Sequence, residues 1–442
     1  MNIRSPHVPE PPRRRSRLLR GLAVAALALP LAAVGACGGG SGSAKSDQKV
    51  ELSVFWWGGP ERAKVTEQAL DLYTSKHPNV TFKKEWQGNA GYFEKLSTRV
   101  AGGSGGPDIF QIDDNAITEY ASRGITLDLS SYVKNKTIDV SKFPKSLVDY
   151  GVVKGKTAGI AAAENTPAMY YDKTVAESLG LPEPKTGMTW EELISWGEQV
   201  TARSGGRTWG TMDPSADYKA LWVWLRQQGK EFYDNDKLGF TAADVTRWFE
   251  LWADARKRGA APPADIIHTA NDGSVTKQLV VTRTGATSFM WSNQMPELQK
   301  GTQNKLGLMA YPGDPKGQWA RASMYWSGFR GTKHPKEVAN VINFLVNDPE
   351  AAKILGTDRG LYSNLDIRRG LAGTLAPEMQ ATVALEDELT PKFGPAPTPP
   401  PKGHSKIKTQ LVGSAEAVQY GKATPQQAAE QFVSQAAEAL KG

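Results

Sequence analysis

Tryptophans set beside carboxylates and amides recur where apolar runs end in this 442-residue chain. Leu52 to Trp56 reads as a buried strand. It stops at Trp57-Gly58-Gly59-Pro60-Glu61, and Pro60 suits the first turn of a helix that carries Val65, Ala69, Leu70 and Tyr73 at helical spacing. A strand feeding a helix through glycines places Trp57, Glu61 and the first helical N–H groups at the carboxyl end of a sheet, where open α/β folds bind ligands. Asp108 to Asn115 repeats the plan and ends in Asp113 and Asp114. Gly285 to Asn293 ends in Trp291 and Asn293, and Ser323 to Arg330 carries Trp326. Flat rings match apolar C–H faces, while Asp, Glu, Asn and Arg bond hydroxyls, so such groupings suit a polyhydroxylated ligand.

Asp113 and Asp114 invite a second reading as an acid–base pair. Neighbours on a strand point to opposite faces and cannot flank one bond unless the chain turns there. Acceptors for ligand hydroxyls, or a cap for the next helix, are the two remaining roles. Tyr218 to Leu225 reads as a helix on which Trp222 and Trp224 lie about 200° apart, so one of them, Trp222 being the candidate, is expected to reach a cleft. Trp190, Trp196, Trp248 and Trp252 sit on helical patterns and read as core. No nucleophile elbow, phosphate loop or zinc motif competes. Cys37 is the only cysteine and the five histidines lie far apart, so neither a metal nor another cofactor is expected.

Strand-like and helical runs alternate from residue 52 onward, which implies α/β layers with parallel pairing. The small-residue stretch 159–167, with Asn165 as a further candidate contact, suits a crossing between domains. Thr189-Trp190-Glu191-Glu192 is a capping box. Residues 391–401 are too rich in proline for regular structure, and Thr424-Pro425 opens a last helix. The length fits two domains.

Residues 1–36 hold six arginines and one glutamate, a charge of +5, which leaves 47 basic and 45 acidic side chains, or +2, for the rest. Without a basic domain, a nucleic-acid partner is not expected. The basic head and the apolar stretch 21–36 read as a signal peptide too short to span a bilayer. Its end, Leu31 to Cys37, resembles the lipobox of bacterial lipoproteins, and that resemblance implies lipid attachment at Cys37 and anchoring to the outer face of the cell membrane. The doubled arginines leave general and twin-arginine export both open. Residues 37–47 read as a flexible tether.

From residue 47 to the end the chain resembles the bacterial extracellular solute-binding proteins of the maltose-binding-protein class. The resemblance is carried by the order of several motifs: the strand and glycines at 52–61, Ala101-Gly102-Gly103 with Pro107-Asp108-Ile109, Tyr171-Asp172-Lys173 before the Thr189 helix, and Gly331-Thr332-Lys333 to Asp348-Pro349-Glu350 with Arg359-Gly360. It implies a type II periplasmic-binding fold of two lobes, each a mainly parallel sheet flanked by helices and discontinuous in sequence. Lobe one would be 48–162 with 286–328, and lobe two 163–285 with 329–442, joined by crossings near 162–166, 284–288 and 327–331. The implied activity is that of a monomeric binding protein that delivers a mono- or oligosaccharide to the permease of an ABC importer. The implied contacts are Trp57, Glu61, Asp113, Asp114, the loop from Trp209 to Asp213, Trp291, Asn293, and the loop from Arg359 to Tyr362. Glu164 stands where relatives more often carry a small residue. An exported glycosidase or lyase, or a binder of a non-sugar polar solute, would use many of the same side chains.

Overall fold

The first tryptophan-rich run forms strand β1 (Val50–Trp57), inside a mixed sheet. The structure, a computed structural model, describes residues 49–441 apart from 90, 104, 272 and 273. The signal-peptide, tether and Cys37 readings therefore lie outside the described residues. Eight further strands build the two main sheets: β2 (Val80–Gln87), β3 (Ile109–Ile112), β4 (Ile160–Asn165), β5 (Pro167–Asp172), β6 (Thr287–Trp291), β7 (Leu306–Ala310), β8 (Arg321–Gly328) and β9 (Leu361–Tyr362). The helices that matter below are α1 (Pro60–Lys76), α2 (Asp114–Ser122), α3 (Tyr218–Gln227), α4 (Ala242–Lys257), α5 (Pro335–Asn347), α6 (Pro377–Leu389), α7 (His404–Gln419) and α8 (Pro425–Leu440).

The larger sheet has the order β9-β4-β8-β3-β1-β2, and the smaller one β6-β5-β7. Only β1 with β2 and β1 with β3 are parallel; β8 runs antiparallel to β3 and β4, and β9 to β4. In the smaller sheet β5 is antiparallel to both neighbours. The α/β expectation holds, but the expectation of mainly parallel sheets is corrected. A helix does link β6 to β7, so those two run the same way, yet β5 lies between them and reverses every pairing.

The expected lobe boundaries also shift. Residues 287–310 pair with β5 and belong to the smaller sheet, not the first lobe. Residues 335–362 belong to the larger one: α5 buries Val338, Ile342 and Leu345 in its core, and β9 pairs with β4. Strands that end in an aromatic and two polar residues look alike in sequence, and only their pairing partners tell the lobes apart. The chain changes sheets at Thr166, between β7 and β8, and along α6, whose Met379 and Val383 meet Leu361 while Leu385 and Leu389 meet Tyr170 and Leu306.

Around the smaller sheet, Trp190 packs edge-on against Trp248 and Trp252, with ring centroids 5.4 and 5.9 Å apart, and Ile407 and Phe432 of α7 and α8 complete the core. Thr189 and Glu192 form the expected capping box. The last helix begins at Pro425 under a box from Thr424 and Gln427.

A buried carboxyl ties the first and third crossings together. Glu386 of α6 accepts from Thr166 Oγ1 at 2.5 Å and from Ser292 Oγ at 2.6 Å, and Ser292 Oγ accepts from the Thr166 N–H at 3.0 Å. Glu164, next along β4, is ion-paired to Arg368. Burial, reinforced by the charge of Glu164, pushes the Glu386 carboxyl up to about 8. An unfolded glutamate ionises near pH 4.3, so between about pH 4.5 and 8 the folded state holds a proton that the unfolded chain has released. Stability falls with rising pH across that window and levels off above it. Glu386→Gln is expected to unfold like the parent near pH 4.5 and to gain on it by up to about 1.4 kcal/mol per pH unit toward pH 8. Denaturant midpoints measured from pH 4.5 to 9 check this; curves that stay parallel contradict it.

Candidate functional site

Strand β3 delivers Asp113 and Asp114 to the start of α2, where the chain turns and separates them. Asp113 has extended backbone and caps the helix, its Oδ1 accepting from the Ala116 N–H at 3.1 Å and its Oδ2 from Asn115 Nδ2 at 3.1 Å. Asp114 points inward and grips Arg321, the first residue of β8. Arg321 Nε donates to Asp114 Oδ2 at 2.6 Å, Nη2 donates to Oδ1, and the Tyr150 hydroxyl donates to Oδ2 at 3.3 Å. Such a planar two-point pair fixes orientation as well as charge. Burial opposes the charge on Asp114, but the Arg321 guanidinium holds its carboxyl below the usual range. Burial, and then the charge of Asp114, raises Asp113.

Arg321 also reaches the other sheet. Its guanidinium carbon lies 4.4 Å from the ring centroid of Trp291, the last residue of β6, and Lys219 Nζ lies 5.1 Å from the same centroid. Lys219 is placed by the cap of α3: Asp217 Oδ1 accepts from its N–H and from its Nζ, both at 2.8 Å. The Tyr218 ring lies between Lys219 Nζ at 5.4 Å and Lys408 Nζ of α7 at 5.3 Å, and Lys408 donates to Asn115 Oδ1 at 3.2 Å. His404, one turn before Lys408, is held down to about 3 by burial and by that ammonium, so it stays neutral beside the Tyr233 hydroxyl. Side chains from α2 and β8 on the larger sheet thus meet side chains from α3, β6 and α7 on the smaller one. Beside them opens a cavity of about 200 Å³ lined by Met212, Tyr218, Lys219, Gln278, Phe289 and Lys408, among others.

Of the residues expected from sequence, Asp113, Asp114 and Trp291 come together here. Others sit elsewhere. Trp57 packs against Tyr92 and Phe93 with ring centroids 5.1 and 5.7 Å away. Trp326 is buried beneath the Arg359 guanidinium, and Arg359 donates to Gln111 Oε1 at 3.0 Å and Thr66 Oγ1 at 2.8 Å, inside the larger sheet's core. Tyr362 is buried on β9. Asp213 is fully buried and ion-paired to Arg256. The expectation that Trp222 or Trp224 reaches the cleft is corrected, because α3 is buried from Ala220 to Leu225 and Trp222 packs against Trp319 and Phe232. Glu61 is exposed on α1, and Asn293 is half-buried just past β6. Trp209 is half-buried, with its backbone bonded to Thr284 and Ala286. Asn165 is buried at the end of β4 against Gly360, whose φ of +115° and closeness (an added Cβ would lie 2.4 Å from Asn165 Oδ1) admit only glycine there.

Sequence reasoning missed Arg321, Tyr218, Lys219 and Lys408. Lys408 lies in a Lys-Ile-Lys-Thr-Gln pattern that reads as an ordinary solvated helix face, and Arg321 opens a strand with no periodic mark. Among the described residues no group of three or more His, Cys, Asp or Glu could hold a metal ion.

Arg321→Ala would strand the buried Asp114 charge and free one face of Trp291. A loss of about 3–5 kcal/mol in denaturant unfolding at pH 7 is expected, the scale for breaking a buried pair on one side. A loss below about 1 kcal/mol would show that the pair is not what holds α2 to β8.

The profile of the bacterial extracellular solute-binding proteins matches residues 68–369. A lactose-binding protein of Rhizobium radiobacter is 25% identical over 336 residues, which are 74% of this chain and 75% of that protein. Among solved structures, a family 1 extracellular solute-binding protein from Alicyclobacillus acidocaldarius is 30% identical and superposes with a TM-score of 0.76 over 90% of this chain and 100% of its own. A periplasmic oligogalacturonide-binding protein from Yersinia enterocolitica, 24% identical, shares the fold with a TM-score of 0.76 over 89% of this chain and 99% of its own. The two-sheet architecture and the match across two thirds of the sequence agree: this chain belongs to the bacterial extracellular solute-binding proteins.

Proposed function

We propose that the protein captures a saccharide between its two lobes, outside the cytoplasm, and delivers it to the membrane permease of an ATP-driven importer. The observation that carries this reading is the convergence of Trp291, Lys219 and Lys408 from one lobe with Asp113, Asp114 and Arg321 from the other. An aromatic face matches sugar C–H groups, and the charged rim offers both donors and acceptors to hydroxyls. The relative named as a lactose-binding protein supports the same ligand class. A hydrolytic reading needs one carboxyl to give a proton and a second, free one to act as nucleophile or base. Asp114 is bound at both oxygens by Arg321, which favours binding over cleavage.

Because each lobe supplies part of the site, a ligand contacts both only when they are close, and its binding free energy selects the closed form. Cys37, as the lipid-bearing residue of a lipoprotein, would keep a monomeric receptor at the outer face of the membrane. Among the described residues no helix is long and apolar enough to cross a membrane.

A thermal-shift screen over mono- and oligosaccharides identifies a ligand, since one that binds only the folded state raises its melting temperature. With that ligand, Trp291→Ala is expected to weaken binding by about 1–3 kcal/mol in calorimetry. Unchanged affinity in a folded variant would place the site elsewhere. Small-angle scattering should show a smaller radius of gyration at saturation, and an identical radius with binding confirmed would overturn the closure mechanism. For the anchor, Cys37→Ala should move the protein from the membrane fraction to the medium; a parent protein that takes up no lipid precursor would refute it.

A further inference from the structure

The cavity beside Tyr218 is lined by two ammonium groups and one carboxylate. Its ionisable lining is Lys219, Lys408 and Asp217. The Asp217 carboxylate is already engaged on both oxygens, Oδ1 by Lys219 and Oδ2 by the Tyr311 hydroxyl at 3.1 Å. Lys408 has no ion pair among the described residues. Its ammonium donates to the neutral amide oxygen of Asn115 and lies beside the Tyr218 ring. The two nearby carboxylates are committed elsewhere, Asp114 to Arg321 and Asp113 to the start of α2. Burial lowers the proton affinity of Lys408, and the charges of Asp114 and Asp113, acting through space without a direct ion pair, offset that only in part. Hydroxyls of a neutral sugar would solvate that charge without compensating it. A carboxylate would pair with it.

We propose that the saccharide taken into this cleft is acidic, with the ring of one sugar unit against Tyr218 and Phe289 and its carboxylate read by Lys408 with help from Lys219. This rests on the saccharide-binding reading above and narrows it to uronic-acid chemistry. Lys408 sits on α7 and Lys219 on α3, both on the smaller sheet's side, so the acid group is gripped by one lobe.

The test is calorimetry at low salt on the full chain with paired probes: oligosaccharides of galacturonic, glucuronic and mannuronic acid, each beside its neutral counterpart of the same linkage. At least one acidic member is expected to bind about tenfold or more tighter than its neutral partner, with the preference shrinking as salt rises. Lys408→Met, with folding confirmed by its melting curve, should cut that acid-to-neutral ratio about tenfold, and Lys408→Arg should restore most of it. A neutral sugar bound as tightly as its acidic partner, or a ratio unchanged by Lys408→Met, overturns the acidic-ligand proposal while leaving saccharide binding intact. Binding of no probe of either kind, where the broader thermal-shift screen also finds no sugar, overturns both.

Discussion

A single protonatable carboxyl, Glu386, sits where the lobes are joined, and the geometry of both lobes depends on what it holds. Its two oxygens take hydroxyls from Thr166, where β4 passes into β5, and from Ser292, just past β6. Tyr170 and Thr382 add bonds to the Ser292 carbonyl at 2.9 Å each. These short hydroxyl–carboxyl bonds sit beside the apolar contacts that α6 makes with Leu361 on one side and with Tyr170 and Leu306 on the other. The adjoining Glu164–Arg368 pair seats β4 against the same region and explains why a glutamate occupies a position where a small residue was expected.

Arg321 plays the complementary part at the cleft. One guanidinium satisfies the buried charge of Asp114 on the larger sheet and lies against Trp291 on the smaller one. It thereby couples the orientation of an aromatic surface to the first turn of α2. From the other lobe Lys219 approaches the Trp291 ring and Lys408 the Tyr218 ring, so these residues meet through cation–aromatic and cation–carboxylate contacts.

Local signals in the sequence located the elements well: β1 and α1 around Pro60, the capping box at Thr189, the last helix from Thr424-Pro425, and the irregular proline-rich stretch all depend on neighbours within a few residues. What sequence could not supply was pairing. Whether Trp291 ends a strand of the first or the second lobe depends on β5 lying beside it, a partner more than a hundred residues away. The same limit applies to which candidate residues the fold brings together. Trp57, Trp222 and Trp326 have the composition of ligand platforms, but each is enclosed by rings or helices brought in from afar. Arg321 and Lys408 carry no local mark because their role comes from Asp114 and Asn115, which lie 207 and 293 residues away in the chain.

The sheet order bears on how this chain reaches its folded state. The larger sheet needs β9 at residues 361–362 to flank β4, and the smaller lobe's core needs Ile407 of α7 and Phe432 of α8. The larger sheet is complete only once residue 362 is delivered, and the smaller lobe's core only once α8 is. Contacts this remote make folding slow and late, because the entropy of closing long loops is spent before the contacts that reward it form. For a family that works outside the cytoplasm, the delay is useful. A chain threaded unfolded through a membrane from its amino end would carry no stable half-domain that could jam the passage, and its folding would begin in earnest only when the carboxyl-terminal helices reached the far side.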